Sequence, residues 1–150
     1  MTGTLRVRVP VQAPPEVVWA AVTDWPAQHE WIPGTMVGVV HGDGRSVGSR
    51  LFGFTGVADI GFLDHLEITE WQPPHRCRMR HLGTLLRGYG EFAVEPNGAG
   101  GATFVWTEEL DPPLGPLGAL GLRLGRPAFQ AVMRRAGRTL AARCAAKAVR

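Results

Sequence analysis

Period-two alternation opens the chain. Leu5, Val7 and Val9 alternate with Arg6 and Arg8, which predicts a strand over 4–11 with one buried face. Ala13-Pro14-Pro15-Glu16 ends that run and starts a helix over 15–23, because Pro15 and Glu16 suit a first helical turn. Asp24-Trp25-Pro26 re-aims the chain into a second short helix over 27–31, and Pro33-Gly34 turns it again. Strands are then predicted over 35–41 and 46–55, joined through His41-Gly42-Asp43-Gly44, where Gly and Asp tolerate positive φ. The next strand covers 63–71 and stops at Pro73-Pro74, two residues without an N–H for a ladder. Over 75–83, Cys77, Met79 and His81 alternate with Arg76, Arg78 and Arg80. Over 87–95, Phe92 and Val94 oppose Tyr89, Glu91 and Ala93. Pro96 to Gly101 reads as a hairpin loop, and 102–110 as the last strand.

A linker over 111–126, leucine-rich after Pro116, leads to a long helix predicted over 127–149. Pro127 suits its first turn, and Phe129, Met133, Ala136, Leu140 and Cys144 recur at steps of three and four. Such a stripe has to be buried against something. One strand, two short helices, six strands and one long helix make an α+β chain of antiparallel hairpins, expected as one domain over 1–150.

Composition narrows the function classes. A 45% hydrophobic and 19% charged chain has the make-up of a globular protein rather than a disordered one. The leucine-rich run from Leu114 to Leu124 is too interrupted to span a membrane. Cys77 and Cys144 lie far apart with no secretory signal ahead of the first strand, so both are read as reduced thiols and the expected location is cytoplasmic. Charge is unevenly placed. From Pro112 onward there are eight basic residues and no acid, whereas residues 1–111 carry eight basic and thirteen acidic residues. The basic helix face could meet an acidic protein partner, or serve only as a solvated surface. Nucleic acid is disfavoured, because the aromatic residues that single-strand binders interleave with basic ones are nearly missing there.

Metal and nucleophile signatures are missing. His29-Glu30 lacks a second histidine, the cysteines are not a close pair, and no Gly-x-Ser-x-Gly elbow occurs. The glycine-rich stretch 42–48 leads into a strand rather than a helix, against nucleotide binding. No metal or cofactor is therefore expected.

In its order of elements and in particular residues, the chain resembles the START-like helix-grip superfamily (SRPBCC), closest to the polyketide cyclase/dehydrase and lipid-transport branch. The residues that carry the resemblance are Ala13-Pro14-Pro15-Glu16-Val17-Val18-Trp19, Thr23-Asp24-Trp25, Trp31-Ile32-Pro33, Glu70-Trp71-Gln72-Pro73-Pro74, Gly101-Ala102-Thr103 and the Phe129–Leu140 stripe. The resemblance implies a seven-stranded antiparallel sheet gripping the C-terminal helix, with a hydrophobic cavity between them. It implies a small hydrophobic ligand of lipid, polyketide or aromatic type, or alternatively a polyketide aromatase/cyclase working without a cofactor.

Polar groups aimed into such a cavity would hold a poly-β-keto chain and move its protons. The candidates are His81, Tyr89 and Glu91, with Glu108 and His65 behind them. Trp31, Phe52, Phe54, Met79, Trp106, Phe129 and Met133 are candidate walls for a ligand. Alternation leaves the buried face of the last strand undecided, since Phe104, Val105, Trp106 and Thr107 are all apolar or uncharged.

Overall fold

The computed structural model describes residues 3–149. Seven strands form one antiparallel sheet in the order β1-β7-β6-β5-β4-β3-β2. Strand β1 (Gly3–Val11) lies at one edge and buries Leu5, Val7, Val9 and Val11, as its alternation requires. Helix α1 (Pro15–Val22) and a 3-10 helix (Trp25–Glu30) then carry the chain to the opposite edge, where β2 (Thr35–His41) begins. From there a meander of β3 (Arg50–Val57), β4 (Ile60–Gln72), β5 (Arg76–Leu82), β6 (Arg87–Pro96) and β7 (Ala102–Leu110) returns to pair with β1. Helix α2 (Gly115–Ala148) packs against β1 and α1. The architecture is the expected α+β helix-grip arrangement.

The sheet's two faces differ in chemistry. The outward side chains of β5 ladder into ion pairs, Arg76 with Glu91 and Arg78 with Glu109 at 2.9 Å, and Arg80 with Glu67 at 3.0 Å. The inward side chains, Cys77, Met79 and His81, are buried. Phe104 and Trp106 also point inward, which resolves the ambiguity of the last strand. There they meet Phe92 and Trp31, with Trp31 5.8–5.9 Å from each of the three ring centroids in edge-on or tilted geometry. Tilted and edge-on contacts suit the ring quadrupoles, so these rings pack together as one cluster on the inner face.

Three elements start away from their expected positions. The C-terminal helix begins at Gly115, so Pro127 lies inside it. Pro116 fills the early-turn position instead, and Gly118 lets Pro112-Pro113 fold back onto the first turn, because a Cβ there would sit 1.7 Å from the Pro113 carbonyl oxygen. Strand β4 begins three residues early, at Ile60, and β3 starts at Arg50 rather than 46. The hairpin between them turns at Ala58, a non-glycine residue at φ 54°, with Gly56 opposite Gly61. No Asn-Gly or Asp-Gly pair announces that turn.

Candidate functional site

Between the concave face of the sheet and α2 lies a cavity of about 610 Å³. Leu51, Leu66, Met79, Phe92, Trp106, Leu110 and Met133 make most of its interior wall. Exposed residues mark its mouth, with Pro33, Thr55 and Phe62 on the sheet side and Phe129 and Val132 on α2. A container of this size with an apolar wall matches the usual form of a small-molecule site.

Three ionisable side chains interrupt the apolar wall. Asp64 of β4, His81 of β5 and Glu108 of β7 all line the cavity. His81 Nδ1 lies 2.7 Å from Asp64 Oδ2, and its Nε2 lies 3.0 Å from Glu108 Oε2. The indole N–H of Trp106 donates to the other oxygen of Glu108 at 2.9 Å. Strand β6 runs between β5 and β7, so Glu108 reaches His81 across it. Gly90, opposite Glu108, makes the crossing feasible: a Cβ at this position would come within 3.2 Å of both Glu108 oxygens.

The electrostatics follow from that geometry. Burial works against a charged imidazole, but hydrogen bonds and negative charge from Asp64 and Glu108 outweigh it and push His81 up to about 9. His81 is therefore an imidazolium at neutral pH, with both N–H groups donating to carboxylates. Buried ion pairs add little stability once desolvation is counted. Ionisable groups perturbed by specific partners in a cleft concentrate at functional sites.

The structure separates the sequence candidates. His81 is in the cavity, but Tyr89 is on the outer face, where the Arg78 guanidinium lies 4.3 Å from its ring centroid. Glu91 borders the cavity by position, yet its carboxylate is bound to Arg76 and Arg78. The inward face of β6 belongs to Phe92 and Val94, and period-two geometry sends their neighbours outward. His65 is exposed, and Glu108 is the second partner of His81. Asp64 is missing from the sequence candidates, although it shares the phase of buried Ile68 along β4 and an acid in that register was its signal.

Among the candidate wall residues, Met79, Trp106, Phe129 and Met133 line the cavity. Trp31 is not among the lining residues; it packs against Phe92, Phe104 and Trp106 in the ring cluster. Phe52 and Phe54 do not face the cavity; Leu51, Gly53 and Thr55 of the same strand do. Phe52 instead covers Gly38 of β2, where an added Cβ would be 2.5 Å from its ring, and Phe54 covers Gly61 of β4 at 2.7 Å. Both cysteines are buried and free, and burial pushes the Cys77 thiol up to about 12, with Glu91 adding to it. Among the described residues no cluster of ligating side chains could hold a metal ion, and no helix is long and apolar enough to cross a membrane.

Residues 2–145 match a family described as polyketide cyclase / dehydrase and lipid transport. No curated protein matches the sequence. Among solved structures, the Thermus thermophilus protein TTHA0849 superposes with a TM-score of 0.78 at 20% identity, covering 97% of this chain and 99% of that one. The Zhui aromatase/cyclase from Streptomyces sp. R1128 superposes at 0.71 with 19% identity, over 100% of this chain and 95% of its own. The di-domain ARO/CYC StfQ of the steffimycin biosynthetic pathway reaches 0.78 at 13% identity, over 100% of this chain and 53% of its own.

Proposed function

This chain belongs to the polyketide cyclase/dehydrase and lipid transport family, and we propose that it encloses a small, largely apolar molecule of lipid, polyketide or aromatic type between sheet and α2. The observation that carries this reading is the cavity itself, about 610 Å³ with an apolar wall and one polar cluster, Asp64–His81–Glu108, to fix the orientation of an occupant. Native mass spectrometry of the purified protein is expected to show a bound small molecule. Met133→Trp, which places a larger side chain in the wall, should abolish that adduct while leaving the fold intact by circular dichroism. Retention of the same adduct by the folded Met133→Trp protein would sink the assignment of this cavity.

A second reading, aromatase/cyclase activity on a poly-β-keto chain, is favoured by one specific feature. The His81 imidazolium stands between two carboxylates on the wall of the cavity. Ring closure needs a proton removed from carbon next to a carbonyl and a proton delivered to the carbonyl that is attacked, and loss of water needs a proton on the departing hydroxyl and one removed from the adjacent carbon as the double bond forms. A His81–carboxylate pair can hold and return such a proton without a cofactor. Zhui and StfQ are described as aromatase/cyclase proteins, which supports the reading by fold alone. Incubation with a synthetic poly-β-ketone thioester should give cyclised product at a rate that His81→Gln reduces by roughly 10²-fold or more. Equal rates from the two folded proteins would remove His81 from the chemistry.

A further inference from the structure

The polar cluster's hydrogen-bond balance is lopsided. His81 has two N–H groups, and both are committed, one to Asp64 and one to Glu108. Glu108 accepts from His81 on one oxygen and from Trp106 on the other. Asp64 accepts from His81 on Oδ2 alone, and its Oδ1 has no hydrogen-bond partner although the residue is only 9% exposed. A carboxylate left with an unmet oxygen in a buried wall is costly unless something donates to it. The other unpartnered buried polar side-chain atom among the described residues, Trp31 Nε1, is a donor in the ring cluster.

Charge is lopsided in the same direction. Two carboxylates against one imidazolium leave the cluster net negative. Glu91 is the remaining ionisable residue on the cavity, but its carboxylate is taken up by Arg76 and Arg78, and neither lysine nor arginine lines the wall to offset the cluster's charge. An anionic group at this end would meet carboxylates, with the one nearby cation already shared between them. A neutral or cationic donor would meet Asp64, a cavity-lining carboxylate with one oxygen still unpartnered.

We infer that the cavity selects occupants presenting a hydrogen-bond donor, a hydroxyl or protonated amine, to Asp64, and rejects those with a carboxylate or phosphate at that end. This rests on the proposal that the cavity binds a small apolar molecule, and it names the polar chemistry of that molecule. The direction of His81's titration agrees, because two carboxylates strong enough to hold it protonated are strong enough to repel an anion.

The test uses four probes with one ring system at pH 7: naphthalene, 2-naphthol, 2-naphthylmethylamine and 2-naphthoate, each titrated calorimetrically into the whole chain. Naphthol and the amine are expected to bind at least about tenfold more tightly than naphthoate, a difference of about 1.4 kcal/mol, and more tightly than naphthalene. In Asp64→Asn, which keeps the shape and loses the charge, the naphthol-to-naphthoate ratio should collapse toward one. If naphthalene binds but naphthol gains nothing over it, or naphthoate matches naphthol, the donor inference is overturned while the cavity assignment stands. If none of the four binds, naphthalene included, the cavity assignment falls and takes this inference with it. The wild-type series decides the question by itself, whatever the stability of the Asn variant.

Discussion

His81 sits on the inner wall of an apolar cavity and is only 8% exposed, yet it is held protonated, because burial is outweighed by Asp64 and Glu108. Its folded-state value, about 9, lies above the ordinary 6.5, so the folded protein binds this proton more tightly than the unfolded chain does. The stabilisation it brings is complete below about pH 6.5 and is lost as pH rises through about 9. Thermal unfolding followed from pH 6.5 to 9.5 is expected to show a falling Tm, and the His81 ring signals in NMR should titrate near pH 9. A midpoint at or below 6.5 would mean that the carboxylates do not hold the proton. Gly90→Ala tests the crossing over β6, since the new Cβ approaches both Glu108 oxygens; weakening of that contact should give a lower midpoint than wild type. The inward position of His81 was readable from its alternation with Cys77 and Met79. The same rule, applied to Phe92 and Val94, places Tyr89 and Glu91 on the other face. The meeting of Asp64 with Glu108 through His81 was not readable, because it depends on register across four strands and on a glycine that leaves room for it.

Helix α2 shows what an apolar stripe conveys and what it omits. Met133, Ala136, Leu140 and Cys144 are buried as their spacing requires, while Phe129 at 43% exposure stands at the cavity mouth. Gly137 is also buried, and the reason lies in β1: an added Cβ would come 2.7 Å from Val9 Cγ2. Val9 is β-branched and has few rotamers with which to yield. Gly137→Val is therefore expected to cost about 2 kcal/mol through overpacking, measured by urea denaturation, and Val9→Ala in the same chain should recover part of it in a double-mutant cycle. Full additivity of the two substitutions would refute the contact. Pro127 makes the opposite case, a residue whose preference for a first turn misplaces the helix start. Inside α2 it cannot donate the N–H that an i→i−4 bond needs, and residues 115–126, with four leucines but also four glycines, are helical ahead of it. Pro127→Ala should raise local helix stability by about 1–3 kcal/mol. Slower hydrogen exchange over 115–126 would register the gain, and unchanged exchange would show that Pro127 does not limit this segment.

At the scale of the whole molecule, sheet and helix enclose the cavity jointly, so an occupant that fills it touches both. The sheet contributes Met79, Phe92, Trp106 and the polar cluster, and α2 contributes Phe129, Val132 and Met133. Ala136, Leu140 and Cys144 are buried and hold the C-terminal half of α2 in place, with Arg143 ion-paired to Glu30 of the 3-10 helix beside them. The stretch from Gly125 to Val132 is therefore the more loosely held wall, exposed except around Gln130 and close to the Pro127 interruption. A ligand that binds only the folded protein adds RT ln(1 + [L]/Kd), or about 2.7 kcal/mol at a hundredfold excess over Kd. For a chain of this size that corresponds to a rise in Tm of roughly 5–10 °C. With 2-naphthol as the probe, the rise should be accompanied by slowed hydrogen exchange concentrated at 125–133 and at the facing strand residues Thr55 and Phe62. Met133→Trp should lose both effects together. A Tm shift without local protection either at 125–133 or at Thr55 and Phe62 would place the probe elsewhere on the molecule, because both stretches border this cavity.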